Sequence, residues 1–259
     1  KGVIDSPDIP LNVSRSYLQS DASVKKITNY ITRKVADKLN SIFKNERENL
    51  ESKWNDIKVV IEYGMLTEDK FYDKAESFNL YPTVDDKYFT YEELEKKIKK
   101  LQTDKDGNLI ILYAQNKDEQ YTYIESAKEK GYEVLLLDSP IIPHLMQKLE
   151  SKKEKIKFSR VDSDTLENLI KKDEEVISKL TDEEKEKLKP MIETAVENEK
   201  YTVQLEALDS NSMPFMLAQP EFMRRMKEMQ QSGGGAMGNL PDMYSCLLYT
   251  SPSPRDLST

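Results

Sequence analysis

The sequence predicts a mixed fold: a helix-rich α/β part, followed by a shorter α+β part. Three observations carry this. Leu109–Tyr113 and Glu133–Leu137 are short, continuously apolar runs that bracket a helical stretch from about Asp118 to Lys130. Apolar strand, helix and apolar strand form a parallel crossover unit, right-handed by the usual rule. Ahead of it, Val24, Ile27, Ile31, Val35, Leu39 and Ile42 recur every three or four residues, the mark of one long amphipathic helix. Beyond it, Tyr201–Leu208 alternates apolar and polar, as a half-exposed strand does.

Each element follows from local chemistry. Trp54, Ile57 and Ile61 resume the first helical pattern after a polar break, which makes Trp54 a core anchor. Residues 68–80 predict another helix, closed by Tyr81-Pro82. Thr90 and Glu93 are spaced as a capping box before Leu94, Ile98 and Leu101. Asp106-Gly107-Asn108 supplies the turn into the first buried strand, and Gly131 ends the helix that follows it. Pro140 opens a helix whose Ile141, Leu145, Met146 and Leu149 face inward, with His144 on a different face from Leu145 and Leu149. Between Ser151 and Lys189 charge rises and large apolar residues thin out, which predicts solvated helices across a domain boundary. Thr181 and Glu184 make a second capping box. Met213–Leu217 is the expected hairpin partner of Tyr201–Leu208.

Pro220–Met229 opens with proline and glutamate, as a helix N-terminus prefers. Phe222, Met226 and Met229 share one face with Met223 alongside, and Arg224, Arg225 and Lys227 are expected to keep the opposite side wet. Methionine is flexible and polarizable, so such a face adapts to many apolar shapes. Core packing is the default for an apolar stripe; the wet flank and the Ser-Gly-Gly-Gly run from Ser232 favour a binding face.

Composition excludes several function classes. The 259 residues carry a net charge of -8, which disfavours non-specific nucleic-acid binding. No apolar run approaches bilayer length. One cysteine and one histidine cannot supply a disulfide framework, a zinc site or a catalytic triad. Asp104–Asn108 resembles a calcium loop in outline, but its glycine comes too early and the distal glutamate is missing. Asn12-Val13-Ser14 fits the glycosylation pattern by coincidence, and Gly233–Gly235 lacks the lysine of a phosphate loop. No self-sufficient active site emerges.

The most specific stretch is Lys1–Gln19. Pro7 and Pro10 stiffen it, Ser14 is a good N-cap, and Arg15 follows in the first turn, sharing a helical face with Gln19. A cation there opposes the helix dipole, which suits an anion brought from outside. This stretch resembles the middle-domain signature of the heat-shock protein 90 family of chaperones, in its bacterial HtpG form. Ser16-Tyr17 departs from the acidic residue and methionine or leucine usual after that arginine.

The resemblance, which runs through residues 1–244, implies a helix-rich middle domain with α/β/α subdomains over residues 1–163. It implies an incomplete α+β C-terminal domain over 164–244, with dimerisation helices missing. It further implies an ATP-hydrolysing, homodimeric cytoplasmic chaperone acting on unfolded clients with other chaperones, without nucleic acid or membrane. ATP with Mg2+ would be bound by an N-terminal domain that this chain lacks, leaving the fragment inactive by itself. Arg15 would reach the terminal phosphate, with Asn12 and Gln19 supporting the loop. Phe222, Met223, Met226 and Met229 would hold clients. His144 falls where some bacterial members place a client-gripping tryptophan, a departure that weakens that role. The competing expectation is a non-enzymatic module that holds apolar segments of partners. Cys246–Asp256 resembles the translation of a sequencing-library adapter, so residues 245–259 are expected to be a non-native tail and are left out of the predicted fold; a natural Ser/Pro-rich tail is the alternative.

Overall fold

A computed structural model describes residues 22–171, 180–196, 201–206, 215–232 and 246–250. Asn12, Arg15 and Gln19 lie outside the described residues, as does the side chain of Met229. The chain divides into two compact units: one runs to Leu80 and includes Tyr88–Tyr91, and the other comprises Tyr81–Lys87 and everything from Glu92 onward.

The first unit is helical: α1 (Ala22–Asn45), α2 (Arg47–Ser52), α3 (Trp54–Thr67) and α4 (Asp69–Ala75), with the short strand β2 (Tyr88–Phe89). α4 is shorter than the helix expected over 68–80, and Tyr81–Pro82 forms β1 of the second unit. Trp54, Met65, Phe71, Tyr72, Ala75 and Phe78 form the core, with Trp54 only 1% exposed. Lys74 Nζ on α4 meets Asp37 Oδ1 on α1 at 2.6 Å. The periodic stripe of α1 is only partly covered, since Val35 is exposed and Ala36 is buried instead.

Gly64 sits inside α3, where alanine would favour the helix by up to ~1 kcal/mol. A Cβ there would meet the Phe71 ring at 2.9 Å. That ring is buried and packs edge-on against Phe78 at 6.3 Å, so it has little room to yield. Overpacking of this kind costs ~1–3 kcal/mol. Gly64→Ala is therefore expected to lower stability by about 1 kcal/mol, read as a reduced urea midpoint; an unchanged or raised midpoint would refute the steric account.

The second unit contains the anticipated crossover. After α5 (Tyr91–Ile98) come β3 (Leu109–Ala114), α6 (Tyr121–Glu129), β4 (Val134–Leu136), α7 (Ile142–Lys152) and β5 (Ile156–Arg160). Asp104 accepts from the backbone amides of Asp106 and Asn108, and Gly107 takes φ +80°, so this loop is a turn as expected. The sheet order is β4-β3-β5, with both pairings parallel. β3 is central and buried throughout, as a strand covered on both faces must be. Ile110, Leu112 and Ala114 pack with Ile124 and Ala127 of α6 and with Val134.

β5 corrects the expectation of solvated helices from Ser151 onward. Ile156 and Phe158 are buried while Lys157 is exposed, a period-two pattern too short to stand out in a charged run. α8 (Leu166–Leu169) and α9 (Asp182–Ala195) follow. The Thr181–Glu184 capping box forms in full, although α9 buries none of its residues.

The last sheet differs from expectation. β6 (Tyr201–Leu205) and β7 (Phe215–Ala218) do not pair with each other. β8 (Cys246–Thr250), in a stretch left out of the predicted fold, lies between them, parallel to β6 and antiparallel to β7. Leu247, Leu248, Tyr249 and Thr250 suit a pleated sheet better than a Ser/Pro tail does. One central strand then satisfies the facing edges of both neighbours. Between β7 and β8 runs α10 (Glu221–Ser232).

Candidate client-binding helix

α10 presents Phe222 and Met226 outward, 72% and 47% exposed, with Met223 half-buried. Phe222 and Met226 are four apart and share one face. The opposite side is not wet, which corrects the expectation for Arg224 and Arg225. Arg224 is 3% exposed, and Arg225 is largely covered. Arg224 and Arg225 dock, and Phe222 and Met226 face solvent; the side chain of Lys227 lies outside the described residues.

Glu221 explains the inversion. Its Oε1 accepts from the Tyr113 hydroxyl at 2.8 Å, from Arg224 Nη2 at 2.6 Å and from Arg225 Nε at 2.5 Å. Its Oε2 accepts from the Arg160 backbone amide at 3.0 Å. Arg224 also donates to the Tyr113 hydroxyl, and its guanidinium lies over the Tyr113 ring, 5.5 Å from the centroid. Arg225 makes a bidentate pair with Glu150 of α7 at 2.8 and 3.2 Å and donates to the Phe158 carbonyl at 2.6 Å. Glu150 Oε1 in turn accepts from the Phe158 amide at 2.7 Å.

Burial alone would raise the Glu221 carboxyl pKa; Arg224, Arg225 and the Arg160 amide outweigh it and hold the group below its ordinary value. Burial raises the Tyr113 hydroxyl, and the Glu221 charge adds to the effect, so Tyr113 stays a donor. Burial would lower Arg225, but Glu150 and Glu221 together raise it and keep it charged. Such groups are tolerable inside a protein only when they are paired and hydrogen-bonded.

The network also closes the free edge of the sheet. β5 is an edge strand, and its outward Phe158 amide and carbonyl and Arg160 amide are the groups taken by Glu150, Arg225 and Glu221. Side chains stand where a fourth strand would otherwise pair.

His144 is half-buried on α7. It lies six residues before Glu150, about 240° around the helix, so it is not brought together with the α10 contact. The sequence reading missed Phe215 and Leu217, the exposed side of β7 at 55% and 49%; period-two alternation was the signal that could have found them. In the first unit, Lys26, Tyr30, Arg33, Lys70 and Lys74 line a groove of about 650 Å³. Glu68 and Asp73 share it, and Lys74 is committed to Asp37. It is a mixed-charge surface groove. Among the described residues, no cluster of metal-ligating side chains occurs, and no helix is long and apolar enough to cross a membrane.

The sequence matches a family model described as Hsp90 protein over residues 1–233. It is 52% identical over 252 residues to the chaperone protein HtpG of Bacteroides thetaiotaomicron, covering 95% of this chain and 37% of that one. Identity to the Porphyromonas gingivalis chaperone protein HtpG is 48% over 254 residues, covering 96% and 37% respectively. Among solved structures, the middle domain of a Plasmodium falciparum heat shock protein aligns with a TM-score of 0.44 and 15% identity, over 55% of this chain and 58% of that one. The chain belongs to the Hsp90 family. It spans little more than a third of the length of these two HtpG relatives.

Proposed function

We propose that this chain is part of an ATP-dependent molecular chaperone, with a middle-domain portion over residues 1–163 and a C-terminal-domain portion over 164–244. Unfolded clients are held on α10 by Phe222, Met223, Met226 and Met229, with His144 contributing a separate contact. The observation supporting this reading is the inverted helix, with its charges buried and Phe222 and Met226 left outward. Neither outward side chain is needed to dock α10, so both are available to a partner.

In this reading the whole protein is a cytoplasmic homodimer that co-operates with other chaperones. ATP with Mg2+ binds an N-terminal domain, and Arg15 neutralises charge developing on the transferred phosphate. Asn12 and Gln19 support its loop. Joining a nucleotide-binding domain of the family ahead of Lys1 and measuring phosphate release tests this. Arg15→Ala is expected to lower turnover about 10- to 100-fold with nucleotide binding retained, less than the ~10³–10⁵ of arginine fingers elsewhere. Unchanged turnover would remove Arg15 from the mechanism. The second reading is a binding module that uses no nucleotide. The outward face of α10 favours it equally, and an absence of turnover in the joined protein would select it.

A further inference from the structure

We propose that Glu221 and Glu150 are positioning residues for client binding: they clamp α10 to the edge of the β4-β3-β5 sheet and so hold the Phe222 and Met226 face outward. The inference rests on α10 being the client helix and goes beyond it, because it assigns that helix's orientation to groups that touch no client.

The geometry carries it. α10 has two sides of opposite chemistry, and water would ordinarily favour the arginine side as the exposed one. Three side chains reverse that choice by offering the arginines better partners than water. Glu221 gathers Tyr113, Arg224 and Arg225 on one oxygen and the Arg160 amide on the other. Glu150 gives Arg225 a bidentate site while holding the Phe158 amide. Tyr113 extends from the central strand to Glu221. The clamp therefore ties the helix to β5 and, through Tyr113, to β3. Without these carboxylates, Arg224 and Arg225 would be charges buried without compensation, and the helix would turn or lift to return them to water.

The clamp has a private signature, since the amides of Phe158 and Arg160 are protected by side chains and not by a neighbouring strand. Hydrogen exchange in the 259-residue chain is measured for Glu150→Gln and Glu221→Gln. Binding of a fluorescein-labelled apolar peptide is followed by anisotropy in the same samples. Each single variant is expected to speed exchange at Phe158 and Arg160 about tenfold and to weaken the peptide about fivefold, while the Leu112 amide stays protected. Unchanged exchange at the two amides overturns the clamp. Faster exchange with unchanged peptide affinity overturns its positioning role. Phe222→Ser separates the two readings: if that variant binds the peptide normally, the client face is wrong while the exchange result still judges the clamp.

Discussion

Replacing Phe222 and Met226 together by serine is expected to abolish measurable holding of unfolded protein by this chain, with its folding stability nearly unchanged. Both side chains are exposed and take no part in docking α10. Burying each against a client would contribute ~1.5–3 kcal/mol, so the pair accounts for about 3–6 kcal/mol before ordering costs. That corresponds to roughly 10²–10⁴ in affinity. Surface changes of this kind move stability by only about 0.5 kcal/mol. Suppression of aggregation of a thermally unfolded client, measured beside the melting temperature, checks both halves. Full suppression by the doubly substituted chain would place client binding elsewhere, with Phe215 and Leu217 the next surface to change.

Acidification is expected to release α10 while the sheet beneath it is still folded. The Glu221 pKa is depressed below its ordinary value of 4.5. A carboxylate depressed in the folded state contributes stability that is fully present above its unfolded pKa and lost as pH falls through its folded one. The loss therefore begins below 4.5 and deepens with further acid. Protonating Glu221 leaves Arg224 and Arg225 facing a neutral acid, with Tyr113 and the Arg160 amide still beside it. Both arginines then lose a charge-assisted partner inside a largely buried network. The amide signals of Phe158 and Arg160 should shift and broaden below pH 4.5, ahead of those of Leu112 and Leu135. Simultaneous loss of all four would mean that acid unfolds the unit as a whole.

How much of this was legible varies by element. The β3, α6 and β4 crossover was readable because its signals are local: two apolar runs, a turn with glycine, and a terminating Gly131. The Thr181–Glu184 cap was readable for the same reason. β5 was not, because Ile156 and Phe158 are its only two inward apolar residues and lysines surround them. The hairpin of β6 with β7 failed because β8 lies between them and occupies the facing edge of each. The exposed face of α10 was half legible. Period and chemistry located Phe222 and Met226, yet the same reading sent Arg224 and Arg225 into water.

The chain by itself determined where α10 begins, which residues share its faces, and that one face is apolar and the other charged. Spacing and side-chain chemistry suffice for that, since neighbours three and four apart meet on any helix. Only the tertiary structure decided which face looks outward. The deciding partners, Glu150 and Tyr113, lie 75 and 108 residues from the groups they bind. No local pattern reports that distance. Charge-assisted bonds to Glu221 and Glu150 offset the water that the arginines lose, and folding alone assembles them.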